Sequence, residues 1–216
     1  MKPTSVENNN MSKKLTDGDK KNINKLKAGG MSAAVILSMF MLITPWEGSV
    51  MDNDGMHVAY VDKLGKGNPI TYCNGLTGKD FRGNLPKAGD KYSQADCDYM
   101  MALRVKGFEQ DVVTSVSEYN SPIAKVNNKF VSEYQKAAII SFAYNVGINN
   151  FRNSTLLRLL NAGKHGAACD ELTKWVYVNG KILKGLINRR NQEYQWCMGV
   201  VDWKAGETLA FINENI

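Results

Sequence analysis

From Ala28 to Trp46 the chain runs 19 residues without a charge, AGGMSAAVILSMFMLITPW. A run this apolar has to be taken out of water, either into lipid or into a protein core. It follows a lysine-rich start, since residues 1–27 hold seven lysines against Glu7, Asp17 and Asp19. Basic residues directly before an apolar segment flank a span that inserts with its N-terminus inside the cell. A full span needs about 20 apolar residues, and Gly29, Gly30, Ser32, Ala33, Ala34 and Pro45 make this one marginal. A cleaved signal peptide is one rival, but no small-x-small site stands beside Trp46 and Glu47. The other rival is a buried first helix of the folded domain.

The lysines also place the charge. Of the formal +6, the first 27 residues carry +4, which leaves 20 basic against 18 acidic residues elsewhere. A nucleic-acid binder needs its basic footprint on the folded body, so nucleic acid is excluded as a partner. Residues 1–24 are rich in Asn and Lys without apolar periodicity and read as disordered. The expected division is a basic arm over 1–27, a signal-anchor or first helix over 28–46, a catalytic domain over 47–200 and a tail over 201–216. Cys73, Cys97, Cys169 and Cys197 form no CxxC pair, and His57 and His165 lie far apart. No metal or cofactor is therefore expected. Four cysteines allow three disulfide connectivities, or four buried thiols in a reducing compartment.

Residues 48–92 combine Gly, Asp, Asn and Thr with short apolar stretches such as His57–Val61 and Ile70–Cys73, the pattern of a small, turn-rich β region. Beyond it the periodicity is helical. Ser93 and Asp96 read as the N-terminal cap of a long helix from about Gln94 to Val116. Ser132 and Gln135 open a second helix that stops at Gly147, and Asn153 is expected to cap a third over Ser154–Asn161. Cys169, Leu172 and Val176 share a face of a fourth, and Leu186–Met198 form a fifth. The fold class is α+β, in two lobes.

Glu47 ends the uncharged run, between Trp46 and Gly48. A carboxylic acid that must donate a proton near neutral pH needs an apolar setting, although a lone Glu before Gly is more commonly a surface residue. Downstream blocks change that reading. Glu47-Gly48 is followed by Ala59-Tyr60-Val61-Asp62 and by Thr71-Tyr72-Cys73-Asn74-Gly75-Leu76-Thr77-Gly78. Then come Ser141–Gly147, Asn150–Leu157 and Gly185–Glu193. In this order they resemble the phage lysozymes of the T4 type, and more closely the lambdoid endolysins that carry an N-terminal signal-anchor. The resemblance runs from about residue 31 to 200.

It implies a lysozyme-like fold, with a small β lobe and a larger helical lobe joined by the long helix. It also implies a muramidase that hydrolyses the β-1,4 bond between N-acetylmuramic acid and N-acetylglucosamine in peptidoglycan and so lyses the host. Glu47 would be the general acid, Asp62 the second carboxylate, and Thr71 the group that positions water. Arg189 matches the arginine that reaches the glutamate. Tyr144 and Ser154 match positions lining the sugar cleft, their plainer roles being core aromatic and helix cap. Three departures stand out, one of them that Asp62 to Thr71 is stretched by Lys66–Pro69. Glu47 and Asp62 lie 15 residues apart because Met51–Met56 look inserted, which makes Asp52 and Asp54 competitors for the second carboxylate. Leu76 stands where many relatives carry His. In an oxidising periplasm the cysteines are expected to pair within lobes, Cys73 with Cys97 and Cys169 with Cys197.

The resemblance further implies transient tethering of a monomer to the host inner membrane through residues 28–46, followed by release to the periplasm. A cytoplasmic enzyme freed by a holin is the alternative location. Alternative activities are a lytic transglycosylase, a virion-associated lysozyme domain and a silent peptidoglycan-binding module.

Overall fold

A computed structural model describes residues 16–63, 67–117 and 129–200; the expected tail over 201–216 and the first 15 residues of the expected arm lie outside them. The arm is corrected from residue 17 onward, because α1 (Asp17–Ala28) is a capped helix. Thr16 and Asp19 form a reciprocal capping box, which satisfies donors that the first turn would otherwise leave unpaired. Ile23 and Leu26, one turn apart, are both buried. Two apolar residues among lysines and asparagines are enough to seat a short helix once another helix receives them.

The uncharged run is likewise not one helix. α1 ends within it: Met31 N–H donates to the Leu26 carbonyl, and Gly30 N–H to that of Lys27. Gly30 adopts φ +75°, the left-handed conformation that closes helices and favours glycine. Ser32 then caps α2 (Ala33–Leu37), which continues as a π-helical stretch (Ser38–Ile43) and a 3-10 turn (Thr44–Trp46). Every residue from Ala34 to Ile43 is buried. Among the described residues no helix is long and apolar enough to cross a membrane.

Next comes the β lobe. Strands β1 (His57–Val58) and β5 (Lys91–Tyr92) form one antiparallel pair, and β2 (Tyr60–Val61), β3 (Ile70–Tyr72) and β4 (Leu76–Thr77) form a meander. The long helix α3 (Gln94–Ser115) starts at the expected Ser93–Asp96 capping box. α4 (Glu133–Val146) is buried from Gln135 to Ala143 and packs against α2, α3 and the last helix, α8 (Lys184–Cys197). A helix apolar on all sides belongs in a core centre. Its one buried cation, Lys136, meets Glu109 of α3 at 2.7 Å, and Glu109 also accepts from Ser32 at the head of α2. That triad ties three helices together.

Between α4 and α8 lie α5 (Ile148–Arg152), α6 (Thr155–Asn161), α7 (His165–Leu172) and the hairpin of β6 (Tyr177–Val178) with β7 (Lys181–Ile182). Residue 176, expected on the fourth helix, lies beyond α7, which ends at Leu172. The cap of α6 is Ser154, not Asn153: its hydroxyl accepts from Leu157 N–H and donates to the Phe151 carbonyl. Two disulfides, Cys73–Cys97 and Cys169–Cys197, hold the turn after β3 to α3 and α7 to α8.

Candidate active site

Glu47 follows the 3-10 turn in extended conformation (φ −91°, ψ 135°), and the irregularity of the preceding segment explains how it gets there. In an α-helix the Met41 carbonyl would accept from residue 45, but Pro45 has no N–H. Gln192 of α8 replaces the missing donor: its Nε2 reaches the Met41 carbonyl at 3.0 Å, while its Oε1 accepts from Trp46 Nε1 at 2.9 Å. The Leu42 carbonyl accepts from the Ser141 hydroxyl at 3.3 Å. Side chains of α4 and α8 thus satisfy a helix end that proline has opened, and fix the residue beside Glu47.

The Glu47 carboxyl is about a quarter exposed (24%) and its Oε1 lies 3.3 Å from Nη1 of Arg189, which is almost fully buried. Arg189 is itself held by Glu193, 3.3 Å from its Nε. Glu193 has no solvent exposure and also meets Arg190 at 2.9 Å and the Ser141 hydroxyl at 2.7 Å. Burial pushes its carboxyl above the usual range, while the Arg190 and Arg189 guanidiniums and the Ser141 hydroxyl oppose the shift. Arg190 continues the network to Asn145, 2.8 Å away, and stacks on Phe142. Glu193, shared by Arg189 and Arg190, gives each buried guanidinium an opposite charge, which is what allows them to be buried.

Glu47 opens into a cleft of about 290 Å³. One wall is the β3–β4 turn, Gly75 to Thr77. Gly75 sits at φ +80°, and a Cβ there would lie 3.3 Å from Glu47 Oε2, so both the turn and the close approach require glycine. The Cys73–Cys97 bridge fastens that turn to α3. Arg104 and Phe108 of α3 form a second wall, Tyr144 and Asn145 of α4 a third. The rings of Phe108 and Tyr144 lie 5.2 Å apart, and the Arg104 guanidinium lies over Phe108. Desolvation, with Glu47 adding to it, pushes the Tyr144 hydroxyl up to about 12, so Tyr144 faces the cleft as a neutral hydrogen-bonding phenol.

Strand register places the other two expected catalytic residues. Thr71 pairs with Tyr60 on one side and with Thr77 on the other. Directly paired residues share a sheet face, and so do residues two apart. Thr71, Thr77, Tyr60 and Asp62 therefore share one face; of these four Thr77 lines the cleft, beside Leu76 of the opposite face, and Asp62 and Thr71 are not among the lining residues. Asp62 N–H extends the ladder to the Pro69 carbonyl. The Thr71 hydroxyl is buried with no hydrogen-bond partner among the described residues. Asp52 is engaged elsewhere, in an ion pair with Lys91 at 2.7 Å and in accepting the N–H groups of Asp54 and Met56. It builds the inserted turn.

Of the residues expected at the substrate, Tyr144 lines the cleft and Arg189 reaches Glu47, but Ser154 is spent as the α6 cap and takes no part in the wall. Arg104 and Phe108 had no distinguishing signal, since a charged and an aromatic residue one turn apart on a long helix look like any solvated face.

The comparisons agree with this architecture. The phage lysozyme family model matches residues 53–193, a stretch that includes Asp62, Thr71 and Arg189 but begins just after Glu47. The SAR-endolysin of Bacteriophage PS119 is 38% identical over 150 residues, 68% of this chain and 78% of that protein. The SAR-endolysin of Enterobacteria phage P21 is 34% identical over 180 residues, 82% of this chain and 95% of the relative. Among solved structures, the active form of P1 phage endolysin Lyz superimposes with a TM-score of 0.58 at 18% identity, covering 85% of this chain and 96% of that one. With its matched segment, its relatives and its two-lobed cleft all in agreement, the chain belongs to the phage lysozyme family.

Proposed function

We propose that the chain is an endolysin muramidase that hydrolyses the β-1,4 bond between N-acetylmuramic acid and N-acetylglucosamine, with Glu47 as general acid. The observation that carries this reading is the juxtaposition of Glu47 with Gly75, Thr77 and Tyr144 around one cleft. A sugar ring laid in the cleft contacts the Phe108–Tyr144 aromatic wall, and the Glu47 carboxyl meets the glycosidic oxygen. Asp62 and Thr71 act from the β face on the other side of the scissile bond. The Thr71 hydroxyl, unpartnered among the described residues, orients the attacking water, and Asp62 stabilises the oxocarbenium-like charge. Arg189, fixed by Glu193, sets the position of the Glu47 carboxyl. The cleft is complete within one chain, which supports action as a monomer.

Residues 28–46 serve first as a transient inner-membrane anchor, and release to the periplasm then delivers Glu47 to the cleft. This part of the reading is supported by the SAR-endolysin relatives, by the lysines ahead of the run, and by the direct continuation of the run into Glu47. Straightened into one helix, 19 residues would span about 28 Å, close to a hydrocarbon core. The test is Glu47→Gln: clearing of cells stripped of their outer membrane should fall by at least about a hundredfold, with the melting temperature nearly unchanged. Retained clearing would exclude Glu47 as the acid.

A further inference from the structure

Among the described residues, Arg104 is a cleft cation with no counter-charge at ion-pair distance. It is exposed on α3 and lines the same cleft as Glu47, yet among the described residues no carboxylate lies within ion-pair distance of it. Arg152 is matched by Asp111, Arg189 by Glu47 and Arg190 by Glu193, while Arg158, exposed on α6, is not a residue of the cleft. Glu47, the carboxylate lining the cleft beside Arg104, is taken by Arg189. Leu76, its neighbour across the cleft wall, is apolar.

Nor does Arg104 trail loosely into solvent. Its guanidinium lies 5.6 Å from the Phe108 ring centroid, and Phe108 packs against Tyr144. Stacking holds a guanidinium by its face and leaves its N–H edge available, the fork geometry that matches a carboxylate. An ordered, unpaired cation in a binding cleft signals an anionic ligand more than a stabilising contact, because its own interactions with the protein do not neutralise it.

We propose that Arg104 is a specificity residue that binds a carboxylate of the peptidoglycan strand, and so selects the muramic-acid register against neutral glycan. This rests on the muramidase reading above. Peptidoglycan offers such a carboxylate from two sources: the stem peptide, or the lactyl group of a muramic acid whose stem has been removed.

The test compares initial rates on isolated peptidoglycan before and after its carboxylates are converted to amides with carbodiimide and ammonium chloride. Wild-type kcat/KM should fall roughly fivefold on amidation, the upper range for a partly solvated ion pair, with most of the change in KM. Arg104→Gln should show that loss already on untreated wall and lose nothing more on amidation, and Arg104→Lys should recover part of it. The wild-type preference for untreated wall should also weaken with added salt. Strands freed of stems by an amidase show whether the lactyl carboxylate, free only there, can take the stem's place: a wild-type advantage kept there says that it does, and an advantage lost confines the contact to the stem. The proposal is overturned if Arg104→Gln equals wild type on untreated wall. It is equally overturned if the variant falls by the same factor on untreated and amidated wall, the signature of mere support for Phe108. Failure of the wild type on every substrate would instead reject the muramidase reading. Melting curves of both variants check the fold.

Discussion

Replacing Gln192 with methionine tests why Glu47 sits where it does. Gln192 is 7% exposed and makes two hydrogen bonds, one to the Met41 carbonyl and one from Trp46 Nε1. Losing the first leaves a buried carbonyl without a partner, worth about 1–3 kcal/mol, and losing the second removes about 1 kcal/mol. Methionine fills nearly the same volume, so little cavity cost is added. The sum is about 2–4 kcal/mol, a fall in Tm of roughly 5–12 °C for a chain of this size. Because Trp46 precedes Glu47, kcat should drop more than KM rises. The specific claim is that Gln192 substitutes for the N–H that Pro45 lacks, and a double-mutant cycle isolates it. Pro45→Ala returns a donor to the Met41 carbonyl, so it should stabilise the Gln192→Met protein by about 1 kcal/mol more than it does wild type. Urea unfolding of the four proteins measures that difference. Additive effects within about 0.5 kcal/mol would refute the substitution argument.

Gly75→Ala and Gly78→Ala introduce similar backbone strain, at φ +80° and +87°, but only the first brings a Cβ to 3.3 Å from Glu47. Each should lose about 1–2 kcal/mol of stability, while activity at equal folded fraction falls only for Gly75→Ala. Glu193→Gln leaves two buried guanidiniums without their shared carboxylate, so a loss of about 3–5 kcal/mol is expected in denaturant titration. Reducing the two disulfides, which close loops of 24 and 28 residues, should each remove about 3 kcal/mol, read as a lower Tm in reductant. Burial holds the His165 imidazole below its ordinary value. The neutral ring is therefore favoured in the folded state, and its contribution is fully present above about pH 6.5. It is lost as pH falls from there through the folded value, because the unfolded chain takes up the proton first. His165→Gln should flatten the fall in Tm across that window.

Much of the architecture was legible because it is written locally. The Ser93–Asp96 box marks the start of α3 to the residue, and the all-apolar face pattern of α4 requires a buried helix. α1 was missed because Ile23 and Leu26 gain meaning only from α3, a partner some 70 residues away. The Gly29–Gly30 break was visible as composition, but whether a glycine pair breaks a helix or merely thins it is decided by tertiary packing. At the site, Glu47 and Arg189 could be named from motif order, yet Gln192, Glu193 and Ser141, which hold them, form contacts that sequence spacing does not encode. For Ser154 the sequence left two roles open, sugar cleft and helix cap, and the structure shows its hydroxyl capping α6. Arg104 becomes informative only in three dimensions, where no carboxylate among the described residues neighbours it.

Glu47 is proposed to drive hydrolysis with water delivered from the Thr71 and Asp62 face. Digesting purified peptidoglycan in water enriched in heavy oxygen, and weighing the released muropeptides, tests it most directly. Hydrolysis should leave an ordinary reducing end on N-acetylmuramic acid carrying the heavy oxygen, and Glu47→Gln should give no product. Unlabelled anhydro sugars, or labelled products from Glu47→Gln, would contradict it.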